Sequence, residues 1–186
     1  MSPDLDTLAR LFYPETLALG AFSRVSPEEM PPTARRLLAH DEHMTETVAA
    51  FHGAPVDVRV LAKRVDGQRY SRKILLTRRG DGRVVMYGIV RIDFAQIDAD
   101  AAREIREERK PLGRVLIERD ILRRVRLDTL WRVRPSQELA ALLGMPVEQP
   151  THGRTAIIEC NGEPAIELIE IVTPDEDDRM PRSGTT

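Results

Sequence analysis

The sequence predicts an α+β domain in which an antiparallel sheet is flanked by helices, and three observations carry that prediction. Hydrophobicity alternates with period two over Val56, Val58, Val60 and Ala62, with Asp57, Arg59 and Lys63 between or beyond them, as in a strand with one wet face. Glycine-rich turn sequences then separate consecutive strand-like runs, which makes the pairing antiparallel and excludes a doubly wound parallel sheet. Short amphipathic segments with recognisable caps supply the helices.

Taken in order, Ser2 and Pro3 predict a first helix running to about Phe12, because a capping oxygen satisfies orphan N–H groups and proline needs no donor at the first position. Pro32 opens a second helix. A third follows Thr45 and stops at Gly53, where glycine most easily takes a left-handed cap. Tyr70–Arg78 and Arg83–Ile92 flank Gly80-Asp81-Gly82 as a hairpin. Asp100–Glu108 and Leu112–Arg119 read as helices, Val125–Val133 as a strand, and Ser136 as the cap of a helix ending at Gly144. Thr155–Cys160, Asn161-Gly162 and Glu163–Thr173 spell a hairpin with a two-residue type I′ turn. Residues 1–174 are expected to form a single domain, and 175–186, with nothing to bury, a disordered tail.

The bulk properties narrow the function. The 186 residues, 41% hydrophobic, suit one sizeable core. Twenty-eight Lys and Arg are interspersed with 30 Asp and Glu for a net charge of −2, so no basic footprint for nucleic acid or an anionic membrane is expected. A lone Cys160 excludes a disulfide framework, and the start lacks the regions of a signal peptide; a cytoplasmic location is expected.

Parity sorts the strand charges. Side chains alternate across a strand, so Arg72 shares a face with Tyr70, Ile74 and Leu76, while Lys73 faces the other way. Glu170 lies with Ile166, Leu168 and Val172; Glu167 does not. Gly88 falls on the face of Val84, Met86, Val90 and Ile92, where a missing side chain leaves space for a ligand or marks a β-bulge. For Arg72 and Glu170, parity allows either a ligand or a buried salt bridge, to each other or to neighbours. Burial favours the protonated form of an isolated Glu170, able to donate to a substrate oxygen, and Arg72 can hold a planar carboxylate bidentately.

Other polar groups read as structural. His40, Asp41, Glu42 and His43 are adjacent and radiate apart, and neither His52 nor His152 has ligand spacing with them, so no metal site is expected. Cys160 has no sequence partner for nucleophilic catalysis. Gly80-Asp81-Gly82 lacks the strand-to-helix context of a dinucleotide loop.

HDEHMTET around Met44, YSRKILL around Arg72, MYGIVRI around Gly88, KPLGRVLI around Leu112 and PAIELIEIVTP around Glu170 occur in an order that resembles the chorismate lyase family, from about Leu37 to Pro174. The resemblance implies an antiparallel sheet with helical flaps over a buried ligand and no metal or cofactor. It implies that Arg72 pairs with the ring carboxylate of chorismate, that Met44 and Leu112 contribute backbone groups, and that Glu170 protonates the departing ether oxygen. Pyruvate and 4-hydroxybenzoate would be the products. For the second carboxylate, Arg91 and Arg154 are candidates by charge only, and Arg91 has the wrong parity for the face of Gly88. Two alternatives stand beside this reading: a related lyase acting on another chorismate-derived ether, and the effector-binding domain of GntR-type repressors, which has a similar fold and binds metabolites without turning them over. The residues before Val56 suffice for lids but are short and insufficiently basic for a winged helix and linker, which favours catalysis.

Overall fold

A computed structural model describes residues 3–121 and 123–175. Seven strands form one antiparallel sheet: β1 (Gly20–Arg24), β2 (Val56–Asp66), β3 (Arg69–Arg78), β4 (Val84–Asp93), β5 (Arg123–Pro135), β6 (Thr151–Cys160) and β7 (Glu163–Val172). Their spatial order is β1-β5-β6-β7-β4-β3-β2, so the two predicted hairpins lie side by side, joined through β4 and β7.

Helices cover both faces. On one, α2 (Pro32–Leu38), α3 (Met44–His52), α4 (Ala99–Arg106) and α5 (Leu112–Glu118) bury Leu38, Val48, Ile105 and Val115 against Ile74, Val90 and Leu168. On the other, α1 (Leu5–Ala9) and α6 (Gln137–Leu143) bury Leu8 and Leu139 against Leu75, Ile89 and Ile169. Alternation makes both cores possible, because each strand sends odd and even residues to opposite sides.

The turn chemistry is as predicted. Gly53 and Gly144 cap α3 and α6 at φ +63° and +64°, and Asn161 and Gly162 both take positive φ in the β6–β7 turn. Ser136 accepts from the Leu139 N–H to cap α6.

Two expectations change. The first helix is only Leu5–Ala9, capped by Asp4 accepting from the Thr7 N–H at 3.1 Å, and the expected cap Ser2 lies outside the described residues. More consequentially, Gly20–Arg24 is a sheet strand, paired with β5 and seating Phe22 edge-on against Trp131 at 6.1 Å. The residues before Val56 are therefore part of the sheet domain, and their length does not bear on lid against winged helix. Of the expected tail, all but Asp175 lies outside the described residues.

Candidate functional site

Cross-strand register builds the site. Ile74, Gly88, Glu170 and Arg154 are successive direct partners on β3, β4, β7 and β6, and all four belong to the face under α3 and α5. Gly88 is not a bulge: its pairing is regular on both sides, and the β3–β4 irregularity falls at Leu76/Thr77. That irregularity also turns Val84 to the opposite core from Gly88, against the simple parity reading. An added Cβ at Gly88 would sit 3.3 Å from Ile74 Cγ1 and 3.4 Å from Met86 Cε, so glycine keeps the floor open beside Glu170.

The roof is made by the starts of α3 and α5. Met44 and Leu112 are the first residues of these helices, and neither preceding residue, His43 or Pro111, supplies a side-chain cap. The helices approach closely because Gly113 has no side chain; a Cβ there would lie 3.2 Å from Thr45 Oγ1. Between roof and floor is a cavity of about 40 Å³, with Met44, Gly88, Leu112, Arg154 and Glu170 in its wall. That is room for about one or two waters.

Arg72 is not at the cavity wall. It stands in the adjacent row, opposite Val90, while its neighbours Ile74 and Val90 do line the cavity. Sheet spacings put its Cα roughly 12 Å from that of Glu170. Its side chain is 0% exposed, and Nε, Nη1 and Nη2 have no hydrogen-bond partner among the described residues. Burial pulls its pKa below the ordinary guanidinium value, opposed by Tyr70, whose hydroxyl is within hydrogen-bonding reach but not aligned with an Arg72 N–H, and by the charge of Glu108. Glu108 is engaged elsewhere, by the Tyr70 hydroxyl at 2.6 Å and Lys63 at 3.0 Å. A guanidinium keeps its charge here, so a buried cation remains with Glu108 as a distant counter-charge and no aligned acceptor among the described residues.

Glu170 is held differently from the isolated carboxyl expected. Arg154, 1% exposed in its side chain, donates from Nε to Glu170 Oε2 at 2.6 Å, making a buried ion pair within the cavity wall. The Arg72–Glu170 bridge does not form. Arg154 also donates from Nη1 to the His40 carbonyl at 2.8 Å and from Nη2 to the Glu42 carbonyl at 3.2 Å. Arg91, as its parity indicated, is on the opposite face, paired with Glu167 at 2.6 Å.

Arg154 was visible in the sequence only as a charge in THGR. Counting outward from the Asn161-Gly162 turn, which sets Cys160 opposite Glu163, places it opposite Ile169; a register shift between Ile158 and Glu159 moves it opposite Glu170. Its neighbour Gly153 allows β6 and β7 to approach, since an added Cβ would fall 2.7 Å from the Glu170 carbonyl oxygen and 3.0 Å from Ile171 Cγ1. Gly153→Ala is therefore expected to cost about 1–3 kcal/mol by overpacking, measured as a lower urea midpoint.

The remaining histidines and the thiol have structural surroundings. No group of three or more potential metal ligands occurs among the described residues. Burial, then Arg123 and Arg154, pulls His43 down to about 4; burial and Arg132 do the same for His152. Both rings stay neutral in the folded chain while the unfolded chain binds protons near pH 6.5, so stability should fall as pH drops from about 6.5 to 4. The melting temperature followed over that range should decline, and His152→Gln should flatten the decline. Cys160 is buried and free, its thiol pushed up to about 11 by burial.

A seven-stranded antiparallel sheet with helices on both faces, one set roofing a small cavity, matches the chorismate lyase-like fold. Among solved structures it resembles PhnF from Mycobacterium smegmatis, at 17% identity and TM-score 0.53, over 75% of this chain and 66% of PhnF. The isolated effector domain of PhnF matches at 17% identity and TM-score 0.54, over 72% of this chain and 90% of that domain. A third is the ligand-binding domain of a protein described as a GntR-family transcriptional regulator from Bordetella bronchiseptica, at 17% identity and TM-score 0.50, over 64% of this chain and 86% of that one. The chain thus spans just under two thirds of PhnF but most of its effector domain. At this identity the likeness shows the fold. No protein-family model and no curated protein matches the sequence.

The expectation of chorismate lyase activity is overturned on these findings. The three solved structures are an effector domain, a ligand-binding domain and the PhnF chain that holds the first of these, and none is described as an enzyme. The proposed acid, Glu170, is ion-paired with Arg154 rather than alone among apolar walls. Chorismate as substrate, with pyruvate and 4-hydroxybenzoate as products, is withdrawn. So is the exclusion of nucleic acid for the protein as a whole, since one of these domains comes from a transcriptional regulator. No helix among the described residues is long and apolar enough to cross a membrane.

Proposed function

We propose that residues 1–174 form a single effector-binding domain that takes a small organic anion beneath α3 and α5 and releases it unchanged. The observation that carries this is Arg72, wholly buried with three unsatisfied guanidinium nitrogens. Buried charges are ordinarily paired, and a bidentate carboxylate or phosphate is the partner that fits a planar fork. The uncapped amides at Met44 and Leu112 add donors of the same sign, while Gly88 and Glu170 leave a polar, uncrowded end for a hydroxyl or amine on the ligand. The effector and ligand-binding domains that share the fold support this reading. The chain's part in transcription is then to sense, and contact with nucleic acid falls to a separate module, since its own charges are interspersed. A buried free Cys160 suits a reducing, cytoplasmic compartment.

The test is a thermal-shift and calorimetric screen of one-ring or smaller carboxylates and phosphate monoesters. Some members should raise the melting temperature of the native chain with saturable dependence and be recovered intact. The reading fails if none does, or if Arg72→Met responds as the native chain does.

A further inference from the structure

The cavity holds about 40 Å³, against ~300–1,000 Å³ for typical small-molecule sites. Some part of its wall must move to admit an organic anion. Residues 39–43, between α2 and α3, have no regular secondary structure. Outside them is an open groove of about 640 Å³ lined by Asp41, Glu42, His43, Arg123, Arg124 and Val125 among others. His43 and Val125 line both groove and cavity, so at this point little more than a side chain separates them.

The segment is held down by side-chain bonds. Arg123 Nε donates to His43 Nε2 at 2.7 Å, which requires the neutral ring. Asp41 Oδ1 accepts from the Leu127 N–H at 2.9 Å. The densest anchor is Arg154, whose guanidinium spans the His40 and Glu42 carbonyls and the carboxylate of Glu170. His40 is locked in turn, with Nε2 on the Leu37 carbonyl at 2.7 Å and Nδ1 accepting from the Glu42 N–H at 3.1 Å. One arginine thus touches the strap, the cavity and Glu170, the only acid in the cavity wall among the described residues.

We propose that residues 39–43 are the gate of the cavity and that Arg154 is its latch, a positioning residue that ties closure of the gate to what Glu170 faces inside. A ligand that engages Glu170 competes for the same carboxylate, so occupancy is read out as a change in the hold on the strap. The idea builds on the ligand-binding reading, but its test needs no ligand.

The test places a thiol in the cavity wall, Val90→Cys in a Cys160→Ala background, and follows its modification by methyl methanethiosulfonate. Labelling should be slow in that chain. It should quicken at least tenfold when Arg154→Met and Glu170→Leu are added together, a neutral pair that removes the latch without stranding a charge. Arg123→Gln, which frees only His43 from outside, should quicken it by a smaller factor. Amide exchange over residues 39–43 should rise in parallel, with α6 unchanged as the control for folding. Labelling rates unaltered in both variants while α6 stays protected would overturn the gate, whether or not any anion binds; quickening by Arg123→Gln alone would keep the gate but remove Arg154 as its latch.

Discussion

Replacing Arg72 with Met is expected to stabilise the ligand-free protein while abolishing its response to small anions. A buried polar group without a partner costs about 1–3 kcal/mol, and more when charged. Arg72 is 0% exposed with all three nitrogens unsatisfied, and its nearest carboxylate, Glu108, is committed to Tyr70 and Lys63. Met keeps the length of the stem against Ile74 and Val90 and removes the charge, so a gain of about 1–3 kcal/mol in the urea midpoint extrapolation is predicted. Sites kept for function commonly trade stability in this way. If Arg72→Met were strongly destabilised, the guanidinium would be satisfied in the folded chain, and its place as an anion anchor would fall with that result.

Arg154→Ala should have the opposite sign. It strands the Glu170 carboxylate, 6% exposed as a residue, and leaves the His40 and Glu42 carbonyls without their donor. Removing one partner of a buried pair typically costs about 3–5 kcal/mol, against a total of roughly 5–15 kcal/mol for a domain, so a large fall in denaturation midpoint is expected. Adding Glu170→Leu to Arg154→Met should recover most of it, because replacing both charges by apolar groups of similar volume is often neutral. Recovery of global stability without recovery of protection over residues 39–43 would separate the ion pair's two roles. Arg154→Ala with native stability would mean that Glu170 finds its counter-charge elsewhere.

Much of this was legible from local patterns. Alternation assigned Arg72 and Glu170 to one face and Lys73, Arg91 and Glu167 to the other, and Lys73 and Arg91 are found there with Glu138 and Glu167, although that face too is covered by helices. The cavity gathers Met44, Gly88, Leu112 and Glu170, from four of the five strings that carried the family resemblance. What those strings implied about chemistry did not survive, because a shared fold fixes where a pocket forms rather than what is done in it.

The sequence by itself determined the period of the strands from Val56 onward, the turns that join the two hairpins, and the inward direction of Arg72 and Glu170, since these depend on residues a few positions apart. Only the tertiary structure decided which inward charge meets which. The register shift between Ile158 and Glu159 moves Arg154 from opposite Ile169 to opposite Glu170, and one residue of slip changes every cross-strand partner beyond it. The pairing of Gly20–Arg24 with β5 rests on Phe22 meeting Trp131, far apart in sequence. For the same reason parity left open whether Arg72 and Glu170 bridge each other or neighbours, and the fold gave Glu170 to Arg154, which also holds the strap over the cavity, and left the Arg72 nitrogens without an aligned acceptor among the described residues.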